Sequence, residues 1–510
     1  MWTLSGIQIN NCGIGLDMAN GGSASQTVGS VLLVDSKISN TPIGVSTAWA
    51  TSAGANGTLI LDNVDFSTNC PVAVSNAANK ATILGGNQKV STWGQGREYL
   101  SPNAGQSFQG PIAAPAKPGV LLDGNGHFYT RSRPQYETVP ASSFKSVKAA
   151  GAKGDGVTDD TQAIQRLFNS VGAGDIVYFD HGAYVVTNTV QVPSNIKITG
   201  EMWPLIMAGG SAFKDQANPK AVFRVGNPGD TGSVEISDMI FETLGPQPGA
   251  ILMEWNLAQA GQGSAGMWDV HFRIGGTAGT QLQSNTCSKN PAAIAPANPA
   301  CEGAFLLLHV TSRASIYLEN NWFWVADHEL DLGDHNQINL YNGRGVLIES
   351  AQGPVWLYGT SSEHNVLYNY QISNAANVYM ALIQTETPYF QSNPDATTPF
   401  NSNTAFTDPV FSGNSLNKKA WGLRIVNSKA VTVHGAGLYS FFVSTPLVTQ
   451  QPSQPFANLS SRITILKSAS TLQVARTTWC LLKAQATSTC TVSPPKLLPI
   501  WLPSMVNPQR

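Results

Sequence analysis

The chain reads as all-β, a right-handed parallel β-helix, and three observations predict it. Ile14, Ile43 and Val72 recur at intervals of 29 residues inside INNCGIGL, ISNTPIGV and STNCPVAV. Each segment is an apolar strand, an Asn/Thr turn and a second short apolar strand. Farther on, VWLYGTSSEH from Val355 and VYMALIQTET from Val378 repeat after 23 residues. The apolar runs are short and rich in β-branched residues, and they lack a helical period. Repeats of this length with short strands and Asn/Gly turns mean a solenoid whose coils stack in parallel. Asn at the turns tolerates left-handed backbone and is expected to stack into ladders.

Composition agrees. Of 510 residues 42% are apolar and only 12% charged, with 48 Gly. This is below the roughly 25% charge of an average globular chain. A net charge of −2 gives no reason to expect nucleic acid or an anionic membrane as partner. The six cysteines form no CxxC or Cys/His cluster, so neither a metal nor a cofactor is expected. Cys287 and Cys301 bracket a Pro/Ala/Asn-rich segment, as a loop-pinning disulfide would in an oxidising compartment. The sequons at Asn56 and Asn458 point weakly the same way. Met1-Trp-Thr-Leu lacks the basic and apolar regions of a signal peptide, and there is no transmembrane run.

Residues 1–100 are read as coils of a first solenoid. Residues 101–143, with six prolines, read as a linker crossing the surface. A second solenoid spans 144–442. It opens on GAKGDGVTDDTQAI, where Thr158 is the expected N-cap of a helix, with Asp159 and Asp160 near its positive end. The Asp cluster could bind calcium. A turn leading into a helix that caps the solenoid is the stronger reading, because solenoid ends need caps. Coils follow at Val234, Met267 and Ile316, then the Val355 and Val378 repeats. The tail, 443–510, holds no Gly, Asp or Glu but six Lys/Arg, whereas residues 1–442 carry 23 basic against 31 acidic residues. A tail without one Gly or Asp turn is hard to fold as further coils, and is expected to be disordered or to come from a shifted frame or unspliced intron. An intact-mass measurement on protein from the native source tests this.

Chemistry concentrates in the last two repeats. Glu363 and Glu386 each lie eight residues after the first Val of their repeat. Strands stack about 4.8 Å apart, so the two carboxylates should project side by side. A glutamate at a coil corner is usually just solvated. Two in register, both flanked by aromatics, suggest a carboxylate pair of the kind that hydrolyses a glycosidic bond. The apolar flank of Glu386 (Ile383, Pro388, Tyr389, Phe390) should raise its pKa. The polar flank of Glu363 (Ser361, Ser362, His364) should keep that group ionised. Trp322 and Trp324 share a strand face. Trp324, near Asp327, is read as a sugar platform and Trp322 as core. His364 and His434 read as hydrogen-bonded scaffold, and Arg344 as a contact to sugar hydroxyls or a turn support.

The segments GAKGDGVTDDTQAI, RSRPQYE, WFWVADHELD, YNGRGVLIES, GPVWLYGTSSEHNVLYNY and LIQTETPYFQ resemble glycoside hydrolase family 55, over roughly residues 1–442. The resemblance implies two side-by-side β-helices with a pocket between them and exo-cleavage of β-1,3-glucan with inversion. It implies a monomeric, extracellular enzyme. It makes Glu386 the general acid and Glu363 the carboxylate that serves the attacking water. Trp324, Asp327, Glu329 and Tyr389 would line the glucose subsite, although Asp is more usual in the family where Glu329 stands. It also implies that most of the first β-helix is missing, including side chains that hold the water.

Two other functions stand beside the exo-glucanase. A lyase or polygalacturonase on this scaffold would need basic residues or calcium to meet its acidic substrate, which two glutamates would repel. A catalytically crippled β-glucan-binding fragment would bind without turnover.

Overall fold

The computed structural model describes residues 2–19, 29–51, 57–98, 105–289 and 296–441, together with the backbone of Thr491–Val492. The tail, that two-residue strand aside, lies outside the described residues, as do Asn56 and Asn458.

The repeat intervals set the coil register. Ile14 pairs with Ile43 and Ile43 with Val72, in parallel. At the turns Asn11, Asn40 and Asn69 are all left-handed (φ 61°, 48° and 49°). The expected ladder runs beside them: Asn40 Nδ2 donates to Asn10 Oδ1 at 2.9 Å, and Asn69 Nδ2 to Asn40 Oδ1 at 3.3 Å. Parallel stacking then stops. Thr82–Gly85 and Lys89–Glu98 turn back antiparallel onto Val72–Asn76 and Thr58–Asp65, and Gln106–Gly110 is antiparallel to Lys89–Glu98. The parallel stack of the first body ends there, with Gln106–Gly110 and Thr82–Gly85 as the outer strands of their sheets. No sequence signal identified the reversal.

The second body has three faces of parallel strands. One runs from Phe144–Ser146 through Ile316–Glu319 and Val355–Tyr358. A second runs from Asp155–Asp159 through His271–Ile274, Trp322–Val325 and Ser361–Glu363. These two meet in the long strands Ala376–Glu386 and Lys429–Tyr439, giving a 17-stranded sheet. The third face has 7 strands, from Val190–Val192 to Trp421–Val426. Inward side chains stack coil on coil, as in Phe223–Phe241–Phe272–Phe323, with ring centroids 5.0, 5.4 and 4.8 Å apart.

The helix begins later than expected. It spans Thr161–Ser170, after a strand Asp155–Asp159, and its N-cap is Asp160 rather than Thr158. The Thr158 hydroxyl is drawn away, donating to Asp155 Oδ2 at 2.8 Å. Ala163, Ile164, Leu167 and Phe168 are buried against the end of the second solenoid, and the Phe168 ring meets Phe179 and Phe223 at 6.3 and 6.0 Å. The helix is therefore a cap. The Asp cluster serves it: Asp160 accepts the amides of Lys153 and Gly154, and Asp159 that of Thr161. Among the described residues no group of acidic, His or Cys side chains is arranged to hold a metal.

The two bodies lie side by side, and the connection between them runs over the surface, its described residues exposed or half-exposed except for two anchors. Leu121 and Phe128 of the connection are buried with Leu32 and Val34 of the first body and Trp268, Tyr317, Trp356 and Tyr379 of the second. Phe128 stacks on Tyr379 at 3.8 Å. Trp356 Nε1 donates to Leu121 O at 3.1 Å, and the Tyr358 hydroxyl to Tyr129 O at 2.7 Å. These large rings point outward from their solenoid but are dry. Each contributes about 1.5–3 kcal/mol by burial. Lys117 reaches back to Asp62 at 2.7 Å and Asp35 at 3.7 Å.

Candidate functional site

Glu363 and Glu386 are register partners on adjacent parallel strands. The same row continues to Trp324 on one side and Tyr439 on the other. The next outward row, two residues earlier, holds Trp322, Ser361, Gln384 and Gly437. Side chains alternate across a strand, so both rows face out of the solenoid on one surface. This is the face beside the one that carries the first body. The hydrogen-bond partners found for both glutamates belong to the second solenoid, not to a pocket shared between the two bodies.

The surroundings of Glu363 correct the expectation. It is not in a wet setting but is only 6% exposed. Protein donors replace water: Ser361 Oγ at 2.6 Å, Gln384 Nε2 at 2.8 Å and Trp322 Nε1 at 3.1 Å. Burial is the largest influence on its pKa and raises it, and the nearby Glu386 adds to the rise. The His364 charge and the Ser361 and Trp322 donors oppose it without cancelling it. Glu386 is half-buried, and its Oε2 accepts the Tyr389 hydroxyl at 2.6 Å. Burial and the Glu386 charge raise the Tyr389 pKa, so its proton stays available as a donor.

Beneath the carboxylates lies a buried amide cluster that sequence reasoning missed. Asn369 Nδ2 donates to Glu386 O at 2.8 Å and Asn365 Nδ2 to Glu363 O at 3.2 Å. Asn342 Nδ2 ties in through Asn365 Oδ1 at 2.7 Å. His364, in left-handed conformation (φ 64°), donates its own amide to Glu386 O at 2.8 Å. Its Nδ1 lies 3.2 Å from Thr387 O, and its ring meets Tyr389 edge-on at 4.8 Å. The two strand ends are thus clamped by their own backbone carbonyls, which fixes the direction of both glutamates.

The other candidates separate. Asp327 lies beside His328 (2.9 Å) and His364 (3.9 Å). Burial works to raise its pKa, but the His328 hydrogen bond and the two imidazole charges bring it below the ordinary range. It stays close to the glutamates. Trp324 is 3% exposed, whereas Trp322, stacked on it at 4.6 Å, is partly exposed and touches Glu363. The roles assigned from sequence are therefore exchanged: Trp322 presents its edge to the site and Trp324 backs it. Glu329 leaves the site. It is fully buried, and its carboxylate accepts from Gln283, Ser284 N, Asp331 N and Leu332 N. Burial opposes its ionisation, but these donors outweigh burial and hold its pKa down. Arg344 is also buried, paired with Asp408 and lying over the Phe305 ring at 3.9 Å, so it secures the loop around 401–408 and touches no substrate. Cys287 and Cys301 form a disulfide.

Gln384 and Trp322 had a readable signal. Each lies two residues before a candidate on the same strand, so period two places it on the same face. The amides beneath had no such signal, since their contacts depend on coil stacking.

Residues 144–287 match the family model Rhamnogalacturonase A/epimerase, pectate lyase-like. A probable glucan endo-1,3-beta-glucosidase from Arthroderma benhamiae is 47% identical over 86% of this chain and 61% of its own length. A glucan 1,3-beta-glucosidase from Cochliobolus carbonum is 44% identical over 92% of this chain and 59% of its own. This chain thus spans about three-fifths of these curated relatives. The solved structure of sacteLam55A from Streptomyces sp. SirexAA-E aligns over 86% of this chain and 67% of its own, at 15% identity and a TM-score of 0.36, too loose to bear on function.

Proposed function

We propose that this chain belongs to the pectate lyase-like β-helix family and carries the catalytic face of a β-1,3-glucan hydrolase of glycoside hydrolase family 55. The observation that carries the reading is the in-register pair Glu363 and Glu386 with unequal surroundings. The two fungal relatives, both named as glucan 1,3-beta-glucosidases of endo or unspecified type, support the substrate. The proposed setting is extracellular, which suits the Cys287–Cys301 disulfide.

Glu386, at the outer edge of the pair, protonates the glycosidic oxygen as the C1–O bond breaks. Glu363 takes a proton from a water whose oxygen bonds to C1 from the opposite side. The released sugar is a glucose from the non-reducing end, with inverted configuration. Ser361, Gln384 and Trp322 all donate to Glu363, which favours the ionised form that a base must have. Tyr389 orients Glu386. Asp327, kept ionised by its histidines, is placed to accept hydrogen bonds from sugar hydroxyls, and Trp322, backed by Trp324, walls the subsite.

The test separates the two glutamates. Glu386→Gln should lower turnover of laminarin by several orders of magnitude, yet spare an aryl glucoside whose leaving group needs no protonation. Glu363→Gln should be severe on both. Laminarin turnover by Glu386→Gln within tenfold of the parent would sink the acid assignment.

A further inference from the structure

An aromatic line leaves the glutamates and ends on the surface. Trp322, which donates to Glu363, stands in register with His271 one coil back. The Trp203 ring follows, 6.0 Å from the His271 ring. Trp203 is 42% exposed, beside Met202 at 79%. Both are left-handed (φ 57° and 52°), a conformation that disfavours any residue with a Cβ. Two consecutive residues of this kind present bulky apolar groups to solvent, which is the reverse of what packing alone selects. Strain of this sort clusters where function requires it. The ring is also held in place, since Trp203 Nε1 donates to Asp269 O at 3.1 Å. His271, between the two tryptophans, has its pKa pushed down to about 4 by burial, so the line is uncharged at neutral pH.

We propose that Trp203 is the outer platform of the substrate cleft, stacking on a glucosyl unit of a β-1,3-glucan a few sugars from the bond cleaved beside Glu386. The strand that follows Trp203, Leu205–Ala208, lies four coils from that of Glu363, through Ile240–Thr243, His271–Ile274 and Trp322–Val325. At about 4.8 Å per coil that is roughly 19 Å, within reach of a short oligosaccharide. An indole face suits the C–H face of a pyranose, and a neutral row suits an uncharged polymer. Continuity with the glutamates through Trp322 favours the glucan over a protein partner. This inference rests on the function proposed above.

The experiment compares laminarin with laminaribiose, which is too short to reach Trp203. In Trp203→Ala the ratio of kcat/KM on laminarin to that on laminaribiose should fall five- to tenfold, and Trp203→Tyr should restore most of it. Retardation in gels containing laminarin should weaken in parallel. An unchanged ratio with unchanged retardation in an active protein overturns the platform and leaves the proposed function standing. An equal loss on both substrates overturns it too, marking a packing role. If the parent neither turns over nor binds either glucan, the proposed function itself falls, and the platform with it.

Discussion

Glu363 and Glu386 occupy the same row but not the same environment. Three donors surround Glu363, yet burial still raises its pKa. The group that serves the water must be ionised. Activity should therefore be lost as pH falls through the raised pKa, with the acid limb of kcat/KM above the ordinary glutamate value of about 4.3. Trp322→Phe removes a donor that favours the ionised form. The limb should move to higher pH, and kcat/KM should fall about tenfold or more, since a hydrogen bond to a charged group is worth ~1.5–3 kcal/mol. A pH profile with an unmoved limb would show that Trp322 does not tune Glu363. The pairing of the glutamates was legible in the sequence because coil register follows repeat spacing. Their polarity was not. Flanking residues along the chain suggested a wet Glu363, but in a β-helix the neighbours that matter come from adjacent coils.

At the scale of the element, the strand Ser361–Glu363 depends on a close approach beneath it. A Cβ on Gly345 would meet Ser362 Oγ at 2.2 Å and Asn369 O at 2.3 Å. Ser362 is the inward residue between Ser361 and Glu363, and Asn369 holds Glu386 O. Gly345→Ala should therefore cost about 1–3 kcal/mol by overpacking and displace both glutamates. Thermal melting and laminarin turnover would check this, turnover falling even well below the melting temperature. Full activity with an unchanged melting temperature would mean the clamp is slack. Turn chemistry was the readable part at this scale, since Asn11, Asn40 and Asn69 carry left-handed backbone at the repeat interval. The helix start was misread because Thr158 had a competing local acceptor in Asp155.

In the whole molecule, two solenoids share a dry aromatic seam containing titratable groups. His434 lies in it, 3.2 Å from the Tyr379 hydroxyl and 3.6 Å from Asp62 of the first body. Burial, aided by the Lys117 charge, depresses its pKa to about 3. The unfolded chain takes up this proton near pH 6.5, whereas the folded chain does so only near 3. Stability from this group is therefore full above 6.5 and declines as pH falls, by up to about 1.4 kcal/mol per pH unit. Asp62 works the other way: burial raises its pKa, so acidification favours the folded form there. His434→Gln, which keeps a partner for Tyr379, should flatten the loss of melting temperature between pH 7 and 4.5. An equal loss in parent and variant would remove His434 from the account. The side-by-side arrangement was implied by family resemblance alone. Composition could not show that Trp356 and Tyr379 point outward into a seam, because outward aromatics and core aromatics read alike.

The most direct measurement of the central claim is the anomer of the glucose released from laminarin, followed by proton NMR before mutarotation. A glutamate pair that divides into an acid at Glu386 and a water-serving base at Glu363 predicts that α-glucose appears first. β-Glucose appearing first would mean that a carboxylate attacks the sugar directly, contradicting the assignment of Glu363 to water.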